Sequence, residues 1–346
     1  MHPQRRLFWF RRLALAGALL AAAVVVLGAW VRLTDAGLGC PDWPGCYGHI
    51  YPNAGHLDPQ SGSQLGKALH EMIHRYFAGT LVIVIAVLLV WTVRFRKDRG
   101  QPLIPVALLF AIVCLQAALG ALTVTLLLKP LIVTAHLLGG LTTLGLLSWL
   151  AMTPAPRQST ARETALRKYA LLGFAVLVMQ VALGGWTSSN YAAVACPDFP
   201  TCQHSWWPPM DYRNAFVLWR GLGLDYEGGV LENHARVAIH FTHRLGALVA
   251  GSILIGLGIA AATSAKRAVN RGPANRRLAL AGGLLVLAVL LQISIGVATV
   301  HWGIPLALAT FHNAGAAFLV VSMVCLLRAL WPGPAMVTLH NADPSR

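Results

Sequence analysis

Apolar residues run along the chain in long stretches, and polar residues collect in the segments between them. Eight such stretches occur, and each holds roughly 18 to 25 mostly apolar residues, the length that a helix needs to cross about 30 Å of hydrocarbon. In chain order they run from Leu13 to Val31, His70 to Trp91, Leu103 to Leu126, Leu131 to Leu150, Tyr169 to Thr187, Val237 to Ala261, Leu278 to Val300, and Pro305 to Leu330. The pattern predicts an all-α membrane protein with eight transmembrane helices, numbered here as spans 1 to 8.

Composition and charge predict the orientation of these spans. Of the 346 residues, 56% are hydrophobic and 11% are charged, which is too apolar for a soluble globular protein. The formal net charge of +15 does not require a nucleic-acid partner, because the basic residues cluster before span 1 and after spans 2, 4 and 6. Most acidic residues lie in the other loops. The positive-inside rule therefore predicts a cell inner membrane protein with cytoplasmic N and C termini and the remaining loops outside.

The second half of the chain repeats the first. The matching pairs are Gly28 with Gly184, Cys40 with Cys196, Cys46 with Cys202, His74 with His243, Gln116 with Gln292, Gly120 with Gly296, and His136 with His312. Because the motif that closes span 1 recurs after span 5, span 1 is not interpreted as a cleaved signal peptide. Four spans per half is an even number, which predicts a parallel repeat of two four-helix bundles. The expected domains are residues 1–153, a cytoplasmic linker 154–168, residues 169–330 and a cytoplasmic tail 331–346.

Four histidines are the strongest chemical signal. His74, His136, His243 and His312 each lie about one turn inside the outer end of a predicted span, two in each half. A single intramembrane histidine could simply hydrogen-bond between helices, but repeat-related pairs at one depth favour ligation. Zinc or copper needs three or four convergent ligands, whereas two imidazoles complete the axial positions of a haem iron. The sequence therefore predicts a haem site in each half.

The residues beside the histidines differ between the halves. Arg75 and Arg244 directly follow His74 and His243, and they are candidates for binding haem propionates, although they could instead snorkel to the interface. Glu71 precedes His74 by three residues, so the two share a helix face, and the matching position in the second half is His240. We interpret Glu71 as a catalytic acid or base, the alternative being a carboxylate that orients the histidine or pairs with Arg75.

Two cysteine pairs have identical spacing. Cys40 with Cys46, and Cys196 with Cys202, lie in loops predicted to face outward, where thiols oxidise. Of the connectivities that four cysteines allow, two local disulfides are preferred, since each repeat would then close its own loop. Metal ligation and a redox role for the first pair stay open as alternatives.

Taken together, these motifs resemble the haem A synthase family. The resemblance rests on the segment from Trp30 to Leu38, the Cys-Pro-Asp-Trp-Pro-Gly-Cys loop, Glu71 to Arg75, Ala135-His136, His240 to Arg244 and Phe311-His312, and it spans nearly the whole chain. It implies that His74 and His136 flank the substrate haem, that His243 and His312 hold haem b, and that Glu71 is the essential carboxylate. It also implies that Cys40 and Cys46 form the family's outer-loop disulfide.

The resemblance implies a particular reaction. A haem A synthase oxidises the ring methyl of haem O to the formyl group of haem A by successive hydroxylations and loss of water from a geminal diol, for supply to cytochrome oxidase. The substrate would come from the haem O-forming farnesyltransferase, and electrons from a donor outside the chain. The sequence is also compatible with a homo-oligomer.

Two other classes of function compete with this one. Paired helix histidines suit a non-catalytic dihaem b-type electron-transfer cytochrome equally well, but such a carrier has no need for Glu71 beside only one haem. A transporter is disfavoured, because the histidines lie near the outer boundary rather than at the midplane.

Overall fold

The computed structural model describes residues 2–52, 62–98, 100–153, 160–267 and 272–331. Within those ranges eight long helices follow one another, each long and apolar enough to cross a membrane. They are α1 (Pro3–Leu33), α2 (Gly62–Arg94), α3 (Leu103–Thr125), α4 (Pro130–Ala151), α5 (Ala161–Ser189), α6 (Asn233–Arg267), α7 (Pro273–His301) and α8 (Leu306–Leu330). The prediction of eight spanning helices is confirmed, and each predicted span coincides with one helix to within a residue or lies inside it.

Several helices continue beyond the predicted apolar spans. Helix α5 begins at Ala161, eight residues before the predicted span, because Thr160 and Glu163 form a capping box. The Glu163 N–H donates to the Thr160 hydroxyl at 3.3 Å, and the Thr160 N–H donates to the Glu163 carboxylate at 3.0 Å. These bonds satisfy orphan N–H groups of the first turn. Part of the predicted linker 154–168 is therefore helical, while its residues 154–159, like the tail after Trp331, lie outside the described residues.

The helices pack as two rings of four. In the first ring α1 contacts α2 and α4, and α3 closes the ring by contacting the same two helices. In the second, α5 contacts α6 and α8, and α7 closes the ring. Contacts between the rings join α1 to α8, and α4 to both α5 and α8. Buried Leu and Ala side chains form one continuous core through both rings, from Phe10 in α1 to Leu330 in α8.

Close backbone approach holds α6 against α7. A methyl group added at Gly258 would lie 2.7 Å from the carbonyl oxygen of Gly282, and one added at Gly282 would lie 2.5 Å from that of Gly258. Only glycine fits at both positions. Small residues of this kind bring transmembrane helices together where lipid removes the hydrophobic drive for association.

We call the end of the helices that carries the loops 40–46 and 196–202 the cysteine end, and the opposite end the basic end. At the cysteine end the two rings are joined by polar contacts. Arg32 donates to the carbonyl of Ser188 at 2.7 Å, and the Tyr191 hydroxyl donates to Asp35 at 2.8 Å. These partners occupy matching positions of the repeat, 156 residues apart.

A long loop of the second half also reaches across the first ring. It contains a 3-10 turn, Ala192–Ala195, and a short helix, Tyr212–Ala215. The ammonium of Lys129, just before α4, donates to the carbonyls of Arg220 and Gly221 at 2.9 and 2.8 Å and lies 3.6 Å from the ring centroid of Trp219. Lys67 pairs with Glu227 at 3.3 Å. The loop thus ties the two halves together above the histidines of the first ring.

Candidate functional site

Each ring contains one pair of the predicted histidines. His74 on α2 and His136 on α4 lie within electrostatic range of each other, and so do His243 on α6 and His312 on α8. All four histidines are partly rather than fully buried. The structure therefore brings the four histidines together in the pairs that the repeat predicts.

Every histidine ring packs against a glycine of the preceding helix. A methyl group added at Gly28 would lie 3.0 Å from Cε1 of His74, and one at Gly120 would lie 3.5 Å from Cε1 of His136. In the second ring the corresponding glycines, Gly184 and Gly296, give 3.2 Å to His243 and 2.9 Å to His312. Because the repeat-related glycines have no side chain, each imidazole can pack directly against the backbone of the neighbouring helix.

Glutamine side chains form hydrogen bonds with both histidines of the second ring. The Gln180 amide nitrogen lies 3.0 Å from Nδ1 of His243 and donates to the His243 carbonyl at 3.0 Å. Gln292 donates to the His312 carbonyl at 3.0 Å and lies within 3.4 Å of both ring nitrogens. In the first ring, Nδ1 of His74 and of His136 makes no hydrogen bond of ordinary geometry among the described residues, although the backbone of Val24 and of Gln116 lies close to the two imidazoles. The second pair is therefore the more rigidly positioned.

The predicted carboxylate is buried and fully engaged. Glu71 is 5% exposed. One of its oxygens pairs with Arg75 at 2.5 Å, and the other accepts a hydrogen bond from the backbone N–H of Cys40 at 2.8 Å. Arg75 also donates to the carbonyls of Asp42 and Gly45 at 2.8 and 2.5 Å. Glu71 thus lies in a network that connects the helix of His74 to the cysteine loop, and its alternative role as the partner of Arg75 is present.

The second half has the same frame with a different charge. Arg244 donates to the carbonyls of Thr201 and Cys196 at 2.8 and 3.0 Å, as Arg75 does in its own loop. His240 takes the place of the carboxylate, and its Nε2 accepts a hydrogen bond from Nε of Arg244 at 3.3 Å. Among the described residues Arg244 has no ion-pair partner. The Arg75 guanidinium thus forms a direct ion pair with a carboxylate, whereas Arg244 has Asp198 nearby without a direct ion pair among the described residues.

The two predicted local disulfides are confirmed. Cys40 is bonded to Cys46, and Cys196 to Cys202. In the first loop Asp42 accepts from the backbone N–H groups of Tyr47 and Gly48 at 2.6 and 2.9 Å. Burial raises the pKa of Asp42, but these N–H groups and the nearby Arg75 outweigh it and bring the pKa below its usual value. The aspartate therefore favours its ionised form and stabilises the turn.

Asp198 closes the second loop in the same way. It accepts from the N–H groups of Gln203 and His204 at 2.6 and 3.0 Å and from the Thr201 hydroxyl. Although burial again opposes the shift, the Thr201 hydroxyl and these N–H groups lower the pKa of Asp198. The turn residue is Gly48 in the first loop but His204 in the second, with φ of +74° and +60°. The second loop therefore carries a left-handed backbone without the glycine that relieves it.

The donor sets fit haem better than a bare metal ion. Throughout the described ranges, no three His, Cys, Asp or Glu side chains converge as a metal-binding group. Each ring instead offers two imidazoles, the axial pair of a six-coordinate haem iron.

Gln180, a candidate site residue, was not predicted from the sequence. Gln180 corresponds to Val24 in the first half, and its neighbour Gly246 corresponds to Phe77. Gln180 is not part of the internal repeat, because the first half has valine at the matching position. The signal that could have found Gln180 is its amide within an apolar span, where polar groups are costly unless they have a partner.

Eight apolar helices in two rings, each with a pair of inward histidines beneath a disulfide loop, define a polytopic membrane protein with two candidate haem sites. Residues 11–324 match the sequence profile described as cytochrome oxidase assembly protein. The chain is 39% identical over 337 residues to a protein of Shewanella oneidensis named heme A synthase, covering 94% of this chain and 97% of that protein. Proteins of the same name from Rhizorhabdus wittichii and Halalkalibacterium halodurans are each 26% identical, over 91% and 87% of this chain and 90% and 91% of their own lengths. The chain belongs to the haem A synthase family, as the resemblance in its sequence predicted.

Proposed function

We propose that this protein oxidises the ring methyl of haem O to the formyl group of haem A, with the substrate in the first ring and a resident haem b in the second. The observation that carries the assignment is the difference between two otherwise matching sites. Glu71 lies beside the histidine pair of the first ring, whereas His240 and the amide of Gln180, which has Val24 at its matching position, lie beside the pair of the second. A permanent cofactor favours fixed ligands, whereas a substrate must enter and leave.

In the second ring, His243 and His312 would hold the iron of haem b. When bound, haem b supplies single-electron transfer to the oxidation in the other ring. Arg244 is the better candidate for a propionate partner, since it forms no direct ion pair in the described part of the chain, whereas Arg75 is already paired with Glu71. A guanidinium is suited to a carboxylate at the membrane boundary.

In the first ring, His74 and His136 would bind the iron of haem O and orient its macrocycle. Glu71 lies one turn from His74 on the same helix, and both of its oxygens already accept hydrogen bonds. A carboxylate held ionised in this position would stabilise positive charge developing at the methyl carbon. Taking up a proton would first require Glu71 to leave Arg75, so we assign electrostatic stabilisation as its main role.

We further propose that the two rings are parallel repeats related by a pseudo-twofold axis along the membrane normal. Contacts between matching positions, Arg32 with Ser188 and Asp35 with Tyr191, support such an axis between α1 and α5. The basic end would face the cytoplasm of the inner membrane, with the cysteine loops outside. Haem O would arrive from the farnesyltransferase that makes it, and electrons from an external donor.

The test is to extract and separate the pigments of the purified full chain. We expect haem b together with haem O or haem A. Glu71→Gln should keep both haems but form no haem A, and His243→Ala should lose haem b. Glu232→Gln and His234→Ala, which change exposed residues at the start of α6, serve as matched controls. Haem b alone, even when haem O is supplied in the membrane, would indicate the non-catalytic dihaem cytochrome instead.

A further inference from the structure

A cleft at the basic end lies between the first turns of α1 and the end of α4. Its volume is about 360 Å³. Arg11, Arg12 and Thr153 form its polar side, and Leu7, Phe8 and Leu15 form its apolar wall. This end of the molecule is remote from the four histidines, so the cleft belongs to neither haem site.

The positive charge at this cleft is not neutralised. Arg11 donates to the Thr153 hydroxyl at 2.9 Å, and Arg12 lies 5.1 Å from the ring centroid of Phe8. Arg328, from α8, lies within electrostatic range of Arg11 and donates to the carbonyl of Met152 at 3.3 Å. In the ranges that the structure describes, no carboxylate pairs with any of these three arginines.

A neighbouring arginine outside the cleft does have a carboxylate partner. Arg6, on the same helix but outside the lining of the cleft, pairs with Asp98 at 3.2 Å. Arg328 has no such ion pair among the described residues, and its Nε, like that of Arg6, is buried without a hydrogen-bond partner there. Arginines held close together beside an apolar wall repel one another, and a bound anion relieves that repulsion.

We propose that this cleft binds the phosphate of an anionic phospholipid, with the acyl chains along Leu7, Phe8 and Leu15. A lipid suits the cleft better than free phosphate, because only a lipid satisfies the cations and covers the adjacent apolar wall together. Basic pockets between helices at the cytoplasmic boundary are typical sites for anionic head groups. Such a lipid would fasten the end of α4, and with it α8, to the first turns of α1.

The experiment measures lipid binding to the full chain in detergent by native mass spectrometry, with phosphatidylglycerol, phosphatidylcholine and inorganic phosphate as separate probes. We expect phosphatidylglycerol to bind more tightly than phosphatidylcholine, and inorganic phosphate not to displace it. Arg11→Gln combined with Arg12→Gln should weaken phosphatidylglycerol binding by about 30-fold, since each arginine beside an anionic head group contributes roughly 1 kcal/mol and about 1.4 kcal/mol is a factor of ten. Arg5→Gln, an exposed change on the same helix, should leave binding unchanged.

A second pair of substitutions separates charge from structure. Replacing Arg11 and Arg12 by lysine keeps the charge but loses the guanidinium bond to Thr153, and should retain phosphatidylglycerol binding to within about threefold. Equal binding of the two lipids, or a glutamine double variant that binds like Arg5→Gln, would overturn the proposal. Displacement of lipid by inorganic phosphate would show a free-anion site instead. Unchanged haem content in each variant confirms that it is folded.

Discussion

Replacing Gly246 by alanine tests the role of Gln180 without altering the glutamine or the histidine. The added methyl group would lie 2.3 Å from Oε1 of Gln180 and 3.2 Å from Cδ1 of Leu183. The first distance is too short for any contact between these atoms, so the amide must move away. Its contacts with Nδ1 and the carbonyl of His243, both 3.0 Å, are then lost.

The expected effect is confined to the second haem site. Each lost hydrogen bond costs about 0.5 to 1.5 kcal/mol net, so the two together weaken the fixed position of His243 by roughly 1 to 3 kcal/mol. At about 1.4 kcal/mol per factor of ten, haem b retention should fall by about 5- to 150-fold. Thermal stability is a poor measure, because alanine is favoured over glycine in a helix by up to about 1 kcal/mol and offsets part of the loss.

The assay is therefore haem content and the absorption spectrum of the low-spin haem, measured during dialysis against a haem-binding protein. Gly256→Ala is the matched control, since it lies on the same helix and an added methyl group there meets no atom within 4 Å. Gly315→Ala should act like Gly246→Ala, because its methyl group would lie 2.2 Å from Oε1 of Gln292. If Gly246→Ala retains haem b as well as Gly256→Ala does, Gln180 does not position His243.

Three further predictions concern the cysteine end. Because folding lowers the pKa of Asp42, the ionised carboxylate stabilises the protein fully above the unfolded pKa of about 4, and this stabilisation is lost as the pH falls through the folded pKa. Asp42→Asn should therefore reduce the fall in unfolding temperature at acid pH. His204→Gly should raise the unfolding temperature and Gly48→His lower it, because both positions have positive φ, and equal effects of one sign would contradict this. Lys129→Met should speed proteolysis of the loop at residues 216–222, since Lys129 is 2% exposed and removing it leaves two carbonyls without their charged donor at a cost of about 1.5 to 3 kcal/mol. Unchanged cleavage would show that the loop is held by other contacts.

Much of the fold follows from the sequence because bilayer thickness sets helix length. The spans needed only runs of apolar residues, and the disulfides needed only the repeated spacing of Cys40 with Cys46 and of Cys196 with Cys202. The extra turns of α5 were missed because they are polar, although Thr160 and Glu163 carry a capping signal. Apolar content locates the part of a helix inside the membrane, whereas hydrogen bonding decides where the helix begins.

The contacts of the arginines could not be predicted in this way. Arg75 and Arg244 were expected to face propionates or the interface, and both donate to backbone carbonyls of the cysteine loops. Those carbonyls are about 30 to 48 residues away in sequence and come within reach only when the loop folds over the helix end. A backbone acceptor leaves no mark on residue type, so this part of the site depends on tertiary structure.

The differences between the halves divide into two kinds with different consequences. The frame, a glycine packed against each histidine and an arginine that holds each disulfide loop, is present in both rings. What changes is local charge, through Glu71 and His240, and ligand support, through Val24 and Gln180. Binding to preset ligands avoids the entropy of ordering them, which favours retention, whereas ligands without amide support can follow a macrocycle that enters as haem O and leaves as haem A. We therefore expect that installing the missing pair, Val24→Gln with Phe77→Gly, would slow release of product from the first ring more than it slows the oxidation itself. Single-turnover and steady-state rates of haem A formation would separate the two effects, and an equal fall in both would refute this account of the asymmetry.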